Sequence, residues 1–132
     1  MPAICALALR LYLFAPSLTT LHAVTAAQAL ADLTQRSDDA SKEIFAALWT
    51  RYWIWLSALY LEKGRPELPV LGTHGVPEES WSELSARARA IPEVHLIKMT
   101  YSCRWLDEAL GPEPLYKAAV ANMLDEHGAR RR

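Results

Sequence analysis

Apolar residues recur every three or four positions through most of this chain, which is the period of a helix rather than of a strand. In the first half, this pattern predicts helices over residues 3–14, from a cap at 17–20 to about 35, and from a cap at 39–41 to 63. Pro16, a polar turn at 36–39 and a Gly64–Pro66 stop separate or end them. Apolar residues cover more than one face of the third helix, so we expect it to be largely buried.

The second half begins with an irregular stretch from 66 to 77 and then returns to the helical pattern. Pro77 and Pro92 are each followed by acidic residues, which favour a helix start, so we predict helices over 77–91 and 92–110. A last helix runs from about 114 to 126, after a Gly111–Pro112 break. The sequence therefore predicts an all-α fold, a single multi-helix domain of about six helices over residues 1–132.

The composition is unusually apolar for a chain of this length. Hydrophobic residues make up 52% of the 132 residues and include five Trp and five Tyr. Either the helices pack densely, or apolar faces are covered by a second copy, a partner or an absent N-terminal half of a larger protein. The net charge of −1 argues against a nucleic-acid partner.

The sequence gives no reason to expect a membrane protein or a disulfide. Arg10 interrupts the apolar stretch at residues 1–18, no positive region precedes it, and no run reaches the ~20 residues of a membrane span. We therefore read this stretch as a core helix. Cys5 and Cys103 match no metal or redox spacing, which favours reduced thiols and a cytoplasmic protein.

His95 and Lys98 are the residues whose pattern points most directly to chemistry. They lie one helical turn apart in an apolar stretch, and no carboxylate stands at the matching spacing to pair with them. If both are buried between helices, an uncharged Lys98 amine could act as a nucleophile or base, or form a carbamate that ligates a metal beside His95. Alternatively, Lys98 extends to solvent and His95 is a satisfied helix-start histidine.

Two further histidines and a group of aromatic residues carry weaker signals. His22 shares a helical face with Leu18 and Leu33, where it is either a hydrogen-bonded core residue or a ligand for iron or zinc. His74, in a glycine-flanked loop, could complete such a site. The aromatic residues of the third helix either belong to the core or form the floor of a pocket for a flat aromatic ligand, and they are Trp49, Tyr52, Trp53, Trp55 and Tyr60.

Three blocks in order resemble motifs of the questin oxidase-like family. The run LHAVTAAQAL at 21–30 is similar to its LHxVTxxxAL motif, Tyr60 to Pro66 is similar to its tyrosine-to-GRP helix end, and VHLIKM at 94–99 resembles its HxIK helix. Residues 108–119 are similar to the family's C-terminal helix pair. The resemblance covers nearly the whole chain but only the C-terminal part of a family member.

This resemblance implies an all-helical oxidoreductase of secondary metabolism, an oxygenase or Baeyer–Villiger-type enzyme acting on an aromatic polyketide such as an anthraquinone. It implies iron held by His22, His95 and a carboxylated Lys98, with Lys98 as the catalytic residue and NADPH as a reductant in some members. Family members are about three times longer, so we expect a truncated gene product, a reduced homologue or a fragment. The alternative function is a catalytically inactive helical module with a structural or interaction role.

Overall fold

The computed structural model describes residues 1–68 and 75–129, and within them the chain forms six α-helices, one short 3₁₀ turn and no strand. The all-α prediction is confirmed, while the larger parent fold stays a prediction. Two compact helical units divide the chain, the first over Met1–Pro69 and the second over Val70–Arg132. The elements are α1 Pro2–Phe14, α2 Leu18–Arg36, the 3₁₀ turn Asp39–Ser41, α3 Lys42–Glu62, α4 Trp81–Arg89, α5 Val94–Leu110 and α6 Pro114–Ala129.

Side-chain caps set the starts of two of these helices. Ser17 and Thr20 form a capping box at α2, with the Thr20 N–H donating to Ser17 Oγ at 3.2 Å and the Ser17 N–H donating to Thr20 Oγ1 at 3.0 Å. Ser80 and Glu83 form the same device at α4, where the Ser80 N–H donates to Glu83 Oε2 at 2.6 Å. The predicted start of this helix at Pro77 is therefore wrong, because the capping box fixes it at Trp81.

The first unit is held by a face of small residues on α2. Residues Thr20, Ala23, Val24, Ala27 and Ala31 are buried there, and α2 packs on α1, whose Ala8 and Leu9 have no exposed surface. Small side chains let the two helices approach closely, so this face is buried in preference to the one bearing larger residues. On the outer face, Leu18 and Leu33 are 58% and 55% exposed.

Helix α3 contradicts the expectation that it is largely buried. Only Tyr52, Leu56 and Leu59 are buried among its 21 residues. The Tyr52 hydroxyl donates to the Ala23 carbonyl at 2.7 Å, and the Trp49 indole donates to Thr34 Oγ1 at 3.0 Å, which fixes one side of α3 on α2. The other side faces solvent, since the described residues 1–68 form only α1, α2 and a short 3₁₀ turn besides α3.

The predicted glycine stop of α3 is confirmed. Gly64 has a φ of +85°, and its N–H donates to the Leu61 carbonyl at 3.0 Å while the Arg65 N–H donates to the Tyr60 carbonyl at 3.2 Å. This pair of hydrogen bonds is a Schellman motif. The Tyr60 hydroxyl also donates to the Pro66 carbonyl at 3.1 Å. The segment that resembles the family's GRP helix end therefore forms the hydrogen-bonded C-terminus of α3.

The second unit is built around α5, which packs on both α4 and α6. Leu96, Met99, Cys103 and Leu106 form a buried apolar stripe along it, and Leu110 at its end is half-buried. Asp107 on α5 connects the start of α4 to the residue before α6. Its carboxylate accepts hydrogen bonds from the Trp81 indole at 2.8 Å and from the Glu113 N–H at 2.8 Å. Across residues 1–68 and 75–129, no helix has both the length and the apolar character needed to cross a bilayer.

Candidate functional site

Glu93 organises the start of α5, where the sequence places His95 and Lys98. Its carboxylate accepts from the backbone N–H groups of His95 and Leu96, both at 3.1 Å, and lies 2.9 Å from His95 Nδ1. Partial desolvation favours the neutral acid, but the hydrogen bonds from His95 and Leu96 together outweigh it and lower the pKa of Glu93. Glu93 is thus both the N-cap of α5 and the partner of the His95 ring.

This arrangement corrects the interpretation of His95 and Lys98 as a pair without a carboxylate. The carboxylate stands two residues before His95 rather than at the helical spacing, because a residue at the N-cap turns its side chain back over the first turn. His95 is half-buried, which fits the alternative of a satisfied helix-start histidine. The sequence signal for this was Glu93 directly after Pro92 and before the first helical residue.

Lys98 does not occupy the buried position that its predicted chemistry requires. Its side chain is exposed, on a face of α5 where Val94, Ile97 and Tyr101 are also exposed, at 54%, 41% and 58%. Ser102, one helical turn after Lys98, is buried. The expectation of a buried amine at Lys98 is therefore wrong, because the buried face of α5 is centred on Met99 and Cys103 instead.

His22 is also exposed, so its predicted place in the apolar core is wrong. The face that it shares with Leu18 and Leu33 is indeed continuous, but it is the outer face of α2. His22 belongs to the first unit, and His95 and Lys98 belong to the second. Their assembly into one three-ligand site stays a prediction.

The structure offers no ready-made cluster of metal ligands in the part of the chain that it describes. Among residues 1–68 and 75–129, no three His, Cys, Asp or Glu side chains are grouped so that they could hold a metal ion. His74, the residue expected to complete the site, lies outside these residues. An iron site therefore stays a prediction that rests on the resemblance.

An apolar cleft lies between α1 and α3 in the first unit. It has a volume of about 300 Å³, and an adjoining cavity of about 500 Å³ shares Leu7 and Trp53 with it. We call the two together the α1–α3 cleft. Its inner part is lined by Leu7, Leu11, Trp53, Leu56, Ser57, Tyr60 and Leu68, and its outer part by Ala3, Ile4, Leu7 and Trp53.

Some aromatic residues of α3 line this cleft, and others pack against α2. Trp53 and Tyr60 line the cleft, as the pocket hypothesis requires. Trp49 and Tyr52 hydrogen-bond to α2, as the core hypothesis requires, and the Tyr52 ring packs 5.8 Å from the ring of Trp55. The helical pattern alone did not show which aromatic residues would face α1, and it did not identify Leu7 and Leu11 as the opposite wall.

Comparisons with protein-family models, with curated proteins and with solved structures found no match for this chain.

Proposed function

We propose that this chain binds a flat, apolar small molecule in the α1–α3 cleft, and that the ligand is of the aromatic-polyketide class. The observation that carries the proposal is the cleft itself. Its volumes of about 300 and 500 Å³ fall in the range of small-molecule sites, which are largely apolar with a few placed polar groups. Ser57 and Tyr60 are the polar side chains on its wall.

Trp53 is the residue that supports an aromatic ligand most directly. It borders both parts of the cleft and remains 45% exposed. A flat ring system lying against the indole would remove this apolar surface from water and gain stacking contacts. Because the Tyr60 hydroxyl donates to the Pro66 carbonyl, its oxygen is oriented to accept a hydrogen bond from a phenolic ligand.

Oxidation of such a ligand is a further prediction, supported by the resemblance to the questin oxidase-like family. The predicted iron ligands are His22, His95 and Lys98, and no step of the binding proposal depends on them. Cys5 and Cys103 are both free thiols, which is compatible with a cytoplasmic enzyme. The chemistry of the site would place the protein in secondary metabolism, with NADPH as the reductant.

The binding proposal is tested by titrating the protein with 1,8-dihydroxyanthraquinone in a calorimeter. We expect Trp53→Ala to weaken binding by about tenfold or more, since it removes the wall shared by both cavities. Trp55→Ala is the matched control, because Trp55 is 41% exposed on the same helix and does not line the cleft. Unchanged affinity in Trp53→Ala, or no binding by the wild type, contradicts the proposal.

The iron prediction is tested separately by elemental analysis of the purified chain. If His95 is a ligand, wild-type protein carries iron and His95→Ala carries substantially less after the same purification. Equal iron content in the two proteins would show that His95 is not a ligand, whatever the result for the cleft.

A further inference from the structure

One face of α3 presents apolar side chains to solvent along the length of the helix. Ile44 and Ile54 are each 62% exposed and Leu61 is 53% exposed. The exposed positions follow a spacing of three and four residues, which is the seam of a coiled coil. We call these six positions the α3 seam: Ile44, Ala47, Arg51, Ile54, Ala58 and Leu61.

The α3 seam has nearly the same pattern of large and small side chains when it is read in reverse. Consider a second α3 that lies antiparallel to the first, so that the points between residues 52 and 53 of the two copies lie side by side. Large side chains then meet near the two ends of the helices, and small side chains meet in the layers next to these ends. The resulting layers pair Ile44 with Leu61, Ala47 with Ala58, and Arg51 with Ile54. Beside the seam, the exposed Leu48 would meet the exposed Trp55 of the other copy. The alanine layers allow the helix axes to approach closely.

Arg51 favours the antiparallel direction over the parallel one. In a parallel pair in register, the two Arg51 side chains would share one layer, so like charges would be directly opposed. In the antiparallel pair, the two Arg51 residues lie in adjacent layers about 4.5 Å apart along the axis, and each lies across from Ile54, where its aliphatic part packs and its guanidinium extends to solvent. The single charged seam position therefore favours the antiparallel direction.

We propose that this protein forms a homodimer in which α3 of one chain packs antiparallel on α3 of a second copy along the α3 seam. The dimer is independent of the proposed ligand, because neither set of cleft-lining residues includes a seam position. Helix α3 has 21 residues, so the contact would extend over about 30 Å.

The first test measures molar mass by light scattering between about 1 and 100 µM, the range in which a moderate dimer dissociates. We expect a concentration-dependent dimer, and we expect Ile54→Glu to raise the dissociation constant about tenfold or more by placing a carboxylate in the central layer. The matched control is Ala46→Glu, which adds the same charge at an exposed position of α3 outside the seam. A wild type that stays monomeric throughout this range overturns the proposal, and equal dimerisation in Ile54→Glu also overturns it.

The second test determines direction with engineered cysteines, read on a non-reducing gel. The double variant Ala47→Cys/Ala58→Cys should form a disulfide-linked dimer, since these positions share a layer. Ala47→Cys alone should not, because the two copies of residue 47 would lie about 16 Å apart along the axis. A covalent dimer of the single variant would overturn the antiparallel arrangement. The native cysteines are both buried and give no background.

Discussion

At the scale of single residues, Glu93 connects the start of α5 to His95 at the predicted site. It caps α5 through two backbone N–H groups and holds the His95 ring 2.9 Å away. Its side chain is about one-third exposed, so these contacts are made near the surface. The residue is therefore a structural anchor for His95, and its removal should affect the helix before it affects any bound molecule.

We expect Glu93→Gln to lower the free energy of unfolding by about 1 kcal/mol at neutral pH, the usual value of an N-cap. The hydrogen bonds keep the folded-state pKa of Glu93 below its ordinary value, so the stabilisation is full above about pH 4.3 and is lost as pH falls through the folded-state pKa. Urea denaturation at several pH values should show the two proteins converging under acid conditions. Glu78→Gln, at an exposed residue outside the helices, should differ little from wild type at any pH.

At the scale of elements, the ends of the helices are decided locally. The Ser17 and Ser80 capping boxes and the Gly64 stop each use hydrogen bonds between residues that are close in sequence. Such signals can be read without knowing what the helix packs against. This is why the predicted bounds of α1, α2, α3 and α5 lie within about two residues of the structure, a normal margin for helix ends.

Gly64→Ala should destabilise the end of α3 by about 1 kcal/mol. The backbone at Gly64 has a φ of +85°, and a side chain there is strained even though a Cβ would meet no atom within 4 Å. The matched control is Gly75→Ala, because Gly75 also has open space around its Cα but lacks a positive φ. Thermal denaturation of the two variants measures the difference, and equal melting temperatures would contradict the assignment of strain to the backbone.

At the scale of the whole molecule, both units bury groups that lose a proton at high pH. Burial raises the pKa of the Cys5 thiol to about 11 and raises the pKa of the Tyr52 phenol, which also feels Cys5. In the second unit, burial and then the charge of Asp107 raise the pKa of Cys103. Each of these groups keeps its proton in the folded state and releases it more readily in the unfolded chain.

The folded protein should therefore lose stability as pH rises. For Cys5, the stabilisation is complete below pH 9 and is lost as pH approaches 11, an effect on the order of 2–3 kcal/mol from the two-unit shift. Chemical denaturation from pH 8 to 11 should show a shallower decline for Cys5→Ala than for wild type. Val24→Ala, at another fully buried residue of the same unit, should lower stability without changing the slope. Parallel slopes for Cys5→Ala and wild type would show that Cys5 does not titrate in this range.

The sequence by itself determined that the protein is all-α and where most helices begin and end, because period, caps and stops are local. Which faces are buried was decided only by tertiary structure. In α2, a face of alanines packs while Leu18, His22 and Leu33 stay outside, and in α3 one side is covered and the seam is not. Both helices carry apolar residues on more than one side, so hydrophobicity allowed several orientations. Close packing of small side chains selected one orientation of α2, and in that orientation His22 is exposed. In α5 other residues form the buried face, so Lys98 is exposed as well.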